Sequence, residues 1–389
     1  MAQDAPESVV EASFVTSLAS TDLGLEAMAV SPNGEWVLVA GPLGFAHLIS
    51  ATDPLDQVEL NSGDDDDLNA IDWHIQGQTA LLVGDDGTML RYEVDDHSLS
   101  HVPGSTGNFL GITLTSVTWD SSGNWAYIGS EDGSITRFRE SGDGTAEYIP
   151  LENTRGSKIT DMACHHKQHS ICVVTTMDDG IGVIDQDHAV YWIPNTMSSQ
   201  WLDVDCPHAS RDRCYAVGQG NSIGVVELEI YEPVNTYVLK KSVEIDGHFT
   251  AGHARSDSHM LFQTAPFGWV DWDIEGGTDK VGLAYPWLLN DDVSDSVIRG
   301  QSILGTWSDT EETGYAITTY GSIVMFYPPS NPVSEKLASA VAPLVVIVAV
   351  PGVALGMVYI MSPKLQKKYL EWSKARRQRK FERAKSRKK

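Results

Sequence analysis

Leu114 to Glu140 reads LTSVTWDSSGNWAYIGSEDGSITRFRE: a short apolar strand, a polar turn with Gly, a second strand, an acidic Gly turn and a third strand. Such runs, rich in β-branched and aromatic residues and bounded by Asp, Ser, Asn and Gly, mark antiparallel hairpins rather than helices. The pattern recurs. Leu25 to Ser50 reads LEAMAVSPNGEWVLVAGPLGFAHLIS, and five further copies begin at Leu68, Lys158, Gln200, His248 and Gln301. The starts at 25, 68, 114, 158, 200, 248 and 301 lie 43, 46, 44, 42, 48 and 53 residues apart. That spacing suits four-stranded propeller blades, each too thin to bury its own faces and therefore stacked on its neighbours.

The expected fold is all-β, a seven-bladed β-propeller of four-stranded blades over residues 1–330, followed by one C-terminal transmembrane α-helix. A fourth strand follows each triplet, such as Gln57 to Leu60. The last unit ends at Tyr327 with a Pro-rich linker behind it, so its fourth strand has to come from Val9 to Leu18 (VVEASFVTSL). Closing the ring with both ends of the chain removes the exposed sheet edge. SPNGEWVLVAG and DSSGNWAYIGSEDGSITRF resemble the strand-turn-strand core of the WD40-like propeller superfamily, without its Gly-His and Trp-Asp signatures. Trp36, Trp73, Trp119, Trp125 and Trp307 recur within the units and are read as packing between blades.

Charge divides the chain. Lys364 to Lys389 holds 13 Lys and Arg against 2 acidic residues, which leaves 14 basic and 51 acidic residues in the first 363 positions. A body with a net charge of −37 repels phosphate and excludes nucleic acid as its partner. Leu337 to Met361 (LASAVAPLVVIVAVPGVALGMVYIM) has no charge and can cross a hydrocarbon core of about 30 Å. Residues 331–336 form the linker to it, and residues 362–389 the basic tail. Lys364, Lys367 and Lys368 place that tail in the cytoplasm and the body outside, in a single-pass protein of the cell membrane. Met1 to Val10 lacks the pattern of a signal peptide, and Ala2 to Pro6 reads like the start of a processed chain, so export requires a signal upstream. Leu365, Tyr369 and Trp372 among Lys and Arg suit membrane lipid, and Gly352 with Gly356 suits a homodimer of membrane helices.

Cys164 and Cys172, then Cys206 and Cys214, bracket the first hairpin turn of adjacent units, each pair with seven residues between. Partners across a hairpin meet the reach of a disulfide, worth roughly 2–3 kcal/mol for so short a loop. Disulfides also agree with an extracytoplasmic body. The competing reading is a zinc site from Cys164, His165 or His166, His169 and Cys172; the second pair keeps the spacing with only His208 inside it, which favours disulfides.

Acidic turns recur between second and third strands at Asp85-Asp86-Gly87, Glu131-Asp132-Gly133 and Asp178-Asp179-Gly180. In a propeller of the family's usual arrangement they share a face with the loops joining blades, here Asp64, Asp65, Asp66 and Asp67, and Asp291 with Asp292. This acidic face is the candidate binding surface for a protein or glycan, and its carboxylates are ligands suited to Ca²⁺, although no run has calcium-loop spacing. The insertion Gly276 to Gly300 is the loop expected to shape a partner site.

No nucleophile motif, phosphate-binding loop or zinc-hydrolase helix occurs, so the reading is non-enzymatic. The enzymatic alternative, a lactonase-like hydrolase or quinone-dependent dehydrogenase, would draw on channel residues Asp72, His74, Asp161, Asp203, Asp205 and His253. A cytosolic scaffold anchored to a membrane is the remaining alternative, and it would carry four free thiols.

Overall fold

The computed structural model describes residues 8–142, 144–165, 170–207, 211–245, 247–276, 282–308, 312–329 and 367. The chain divides into a unit over residues 1–329 and a second over 330–389. The apolar stretch 337–361, the small-residue pair Gly352 and Gly356, and all of the basic tail but residue 367 lie outside the described residues. Among the described residues, no helix is long and apolar enough to cross a membrane.

The first unit is a ring of seven four-stranded antiparallel sheets. Six contain four consecutive strands, running from the channel outward, and their inner strands are Ala27–Val30, Leu68–Trp73, Leu114–Trp119, Ile159–Cys164, Trp201–Asp205 and Phe249–Ser256. In the seventh blade the inner strand is Ile303–Ser308, and the outermost is the N-terminal strand Glu11–Ser17, antiparallel to Ser322–Tyr327. Register runs from Glu11 opposite Tyr327 to Ser17 opposite Ser322, and Leu18 N–H donates to Gly321 O at 2.9 Å. The N-terminal segment thus closes the ring where the repeat pattern left a strand missing.

Side chains alternate across a strand, so each middle strand feeds two cores. Val37 and Val39 enter the cluster shared with blade seven (Trp307, Ile317, Ile323), while Leu38 and Ala40 enter the one shared with blade two (Leu68, Trp73, Leu82). Seven such clusters, one per blade-to-blade seam, form the hydrophobic interior of the described residues. Double-sided burial explains why middle strands such as WVLVA and IGVI read as unbroken apolar runs while inner and outer strands do not. The recurrent tryptophans bridge these seams. The Trp73 indole N–H donates to Ala29 O in blade one at 3.1 Å, and that of Trp307 to Ala51 O at 3.0 Å.

Both cysteine pairs are disulfides, with Cα–Cα distances of 3.9 Å for Cys164–Cys172 and 4.2 Å for Cys206–Cys214. Cys164 faces Cys172 directly across the first hairpin of blade four. Because both sulfurs are committed to each other, the zinc reading through Cys164 and Cys172 is overturned.

Candidate functional site

Carboxylates occur in two settings, one along the axial channel and one on the face where blades are joined. The channel set begins with the inner strands. Asp72 accepts the Trp119 N–H at 2.7 Å, Asp161 the Val204 N–H at 3.0 Å, Asp203 the Gly252 N–H at 3.1 Å and Asp205 the Ala254 N–H at 2.8 Å. Each bond leaves one blade and ends on the inner strand of the next. The aspartates among the channel residues are therefore engaged with the ring itself. They are part-buried and splice neighbouring inner strands whose facing backbone amides would otherwise lack a partner. His253 reaches Thr306 Oγ1 at 3.1 Å and His74 reaches Gly123 O at 3.0 Å, again across seams.

Burial raises three of these acids, Asp72, Asp161 and Asp203. Asp72 is pushed up to about 7 by burial, against hydrogen bonds from Trp119, Trp73 and Thr118. Asp161 is raised well above the carboxylate range, first by burial and then by the charge of Asp203, to which it hydrogen-bonds side chain to side chain. Asp203 is also raised by burial, with the Asp161 hydrogen bond opposing the rise, so the two carboxyls hold a proton between them. Burial, with Arg255 nearby, lowers His253 to about 4 and keeps its ring neutral.

The second set lies on the loops that join and turn the blades. In six blades the turn between second and third strands is clamped to the connection entering the same blade. The bonds are Asp85 N–H to Asp67 O (2.9 Å), Glu131 N–H to Thr113 O (3.0 Å), Met177 N–H to Lys158 O (3.0 Å), Gln219 N–H to Gln200 O (2.9 Å), Ala265 N–H to His248 O (2.9 Å) and Thr319 N–H to Ser302 O (2.8 Å). Asp64 to Asp67 and the three acidic turns therefore share one face, together with the short helix Asn290–Asp295 that carries Asp291 and Asp292. Glycine is required at two of these approaches. A Cβ on Gly44 (φ 66°) would lie 2.1 Å from Asp64 O, and one on Gly133 (φ 82°) 2.0 Å from Arg155 O.

Within that face Asp64 is held in place. Its Oδ1 accepts the N–H groups of Asp65 and Asp66, its Oδ2 accepts the Thr88 hydroxyl at 3.1 Å, and these bonds lower its pKa although burial works against them. Asp132 is lowered in the same way by Ser134 and Ser130. Glu26, at the channel mouth, is raised by burial and then by the charges of Asp67 and Asp85, with Lys158 opposing. The carboxylates of blades one and two therefore act on one another through a common field. Among the described residues no group of three or more His, Cys, Asp or Glu side chains converges as a metal would need.

A cleft opens at the outer end of this face, between the connection leaving the N-terminal strand and the loops of blade one. It holds about 620 Å³ and is walled by Leu23, Pro42, Leu43 and Phe45, with Asp22, Glu59 and Asp65 at its rim. Sequence reasoning placed Asp65 on the face but missed the cleft. Its walls come from segments far apart in the repeat, and only the pairing of Gln57–Leu60 with Ala46–Ser50 puts Glu59 beside them. No protein-family model and no curated protein matches the chain.

Proposed function

We propose that the propeller is a binding platform for protein or glycan partners, carried on the extracytoplasmic side of a membrane and engaging them through the acidic loop face. The observation that carries this reading is the clamping of second-to-third-strand turns to inter-blade loops in six blades. Loops fixed in this way lose little conformational freedom on binding, which favours recognition. The channel carboxylates support it from the other side, because their oxygens accept amides of the adjoining blade and serve the ring.

Placement outside the cytosol draws support from the two disulfides and from the apolar stretch 337–361 followed by basic residues. Thiol labelling of intact membranes with and without reduction tests it. All four cysteines should label only after reduction, and labelling without reduction overturns the placement.

The platform reading is tested with a photo-crosslinking residue placed at Leu110 or Met197 on the loop face, or at Leu55 or Ile75 on the opposite face, all of which are exposed. Adducts of defined mass are expected from the loop face alone. Equal adducts from both faces, or none, would overturn it.

A further inference from the structure

The seam between blades three and four carries a charged group that the ring does not use. Arg137 stands on the third strand of blade three, opposite Tyr127 and Ile149. Among the described arginines that are not fully exposed, it alone makes neither an ion pair nor a hydrogen bond. The others reach a carboxylate or, for Arg155, a backbone carbonyl. The Arg137 Nε is shut away from solvent without an acceptor, while Nη1 and Nη2 bond to no protein group and reach the surface. In a body so rich in acid, a guanidinium without a carboxylate calls for a specific explanation.

Packing of the seam does not supply one. Trp36 of blade one and His97 of blade two make the same edge-to-face pair as Trp125 and His188, with centroids 5.2 Å apart in both. At that seam the position of Arg137 is taken by Leu48, which faces Leu38 as Arg137 faces Tyr127. The ring therefore closes this kind of seam with an apolar residue. In blade three the guanidiniums of Arg137 and Arg139 instead lie over the Trp125 ring, with Cζ 4.6 and 4.4 Å from its centroid. Glu147 occupies Arg139 Nε at 2.6 Å, and the stack on Trp125 orients Arg137 with its outer fork open.

Three acids have charges that reach His188. Asp120 Oδ1 accepts the Asn124 N–H at 3.0 Å, Asp185 Oδ1 accepts those of Asp187 and Ala189 at 2.9 and 2.8 Å, and Asp187 is exposed. Burial first, and then the charge of Arg137, lowers the pKa of His188 against these acids, so its ring adds no further cation. The Trp125 indole N–H also lacks an acceptor and is open to solvent. Open donors beside aromatic rings suit a ligand rich in oxygen. A guanidinium fork matches a planar carboxylate through two parallel bonds, and the negative body repels a polyanion, which leaves a ligand of single charge.

We propose that Arg137 binds the carboxylate of an acidic monosaccharide, whose remaining oxygens face the Trp125 indole N–H and whose ring lies against Trp125 and His188. The turns that frame this site, residues 120–125 and 185–189, join first to second and third to fourth strands and so lie opposite the acidic loops. The site is separate from the platform surface and goes beyond that reading.

Calorimetric titration of the full chain with glucuronate and N-acetylneuraminate tests it, with glucose, N-acetylglutamate and inorganic phosphate for comparison and the assigned Trp125 indole N–H resonance as the local report. At least one sugar acid should bind saturably and shift that resonance, tenfold more tightly than glucose and at least threefold more tightly than N-acetylglutamate or phosphate. Arg137→Leu, which installs the residue blade one already carries there, should lower that affinity at least tenfold. Arg137→Lys keeps the charge without the fork and should lower it at least threefold. Arg299→Leu, at an exposed position on the loop face, removes equal charge and should change it less than twofold. Thermal melts confirm that the variants fold. No saturable binding of either sugar acid, or equal losses in Arg137→Leu and Arg299→Leu, would overturn the site. Equal affinity for phosphate or N-acetylglutamate would overturn a sugar acid as its ligand, while the crosslinking contrast between faces decides the platform independently.

Discussion

Aspartate does two different jobs in this ring. At the axis, Asp203 accepts the Gly252 N–H of the next blade and shares a proton with Asp161. On the loop face, Asp178 and Asp179 project from a turn whose backbone is already held by Ser157 and Thr176 hydroxyls. The residue type and the overall acidity are the same, but the first group is bound by the fold and the second stands at the surface. A buried acceptor that loses its role costs the desolvation of everything it satisfied, whereas a solvated charge costs almost nothing to remove.

The comparison breaks most directly at Asp203. Asp203→Ala leaves the Gly252 amide unpartnered and removes the carboxyl that hydrogen-bonds Asp161, and should lower unfolding free energy by about 3 kcal/mol in chemical denaturation. A loss of under about 0.5 kcal/mol would show that water in the channel replaces it.

Acid–base behaviour separates the two sets next. Asp72 titrates near 7 in the folded chain and near 3.8 unfolded, so the folded state holds its proton more tightly. Stability from this group is therefore greatest at low pH and is lost as pH rises from about 4 to about 7. Asp72→Asn should flatten that decline by about 2 kcal/mol, after allowance for channel water, in denaturation midpoints from pH 4 to pH 8. Asp64 has the opposite sign: its lowered pKa gives stability that is present above the unfolded value and lost as pH falls through the folded one. Asp64→Asn should weaken the protein by about 0.5–1 kcal/mol at neutral pH and have no effect at the acid end, where both forms are uncharged. The smallest effect belongs to Asp179→Ala, within about 0.5 kcal/mol of wild type by the same measurement.

Seven units, the acidic turns, the cross-hairpin cysteines and the N-terminal closing strand were legible in the sequence because each is a local pattern or a remainder in the repeat count. The channel splices were not, since sequence shows a polar residue on an inner strand but not the amide it meets one blade away. A signal existed nevertheless. Asp72 to Trp119, Asp161 to Val204, Asp203 to Gly252 and Asp205 to Ala254 are separated by 47, 43, 49 and 49 residues, which is one blade plus a single step. The cleft offered no such signal. Its lining joins Asp22 and Leu23 to residues 42–46, 59–62 and 64–65, segments that meet only in the folded sheet.

The closing blade also sets a timetable for biogenesis. Glu11–Ser17 leaves the ribosome before every other strand of the ring, yet its partner Ser322–Tyr327 follows more than 300 residues later. At translation rates of roughly 5–20 residues per second, the early strand waits tens of seconds with its edge unsatisfied. During that interval a second nascent chain offers the same edge, so exchange of this strand between two rings is the characteristic error the cell must prevent. Chaperone demand should therefore fall on this one segment and end when the last blade emerges.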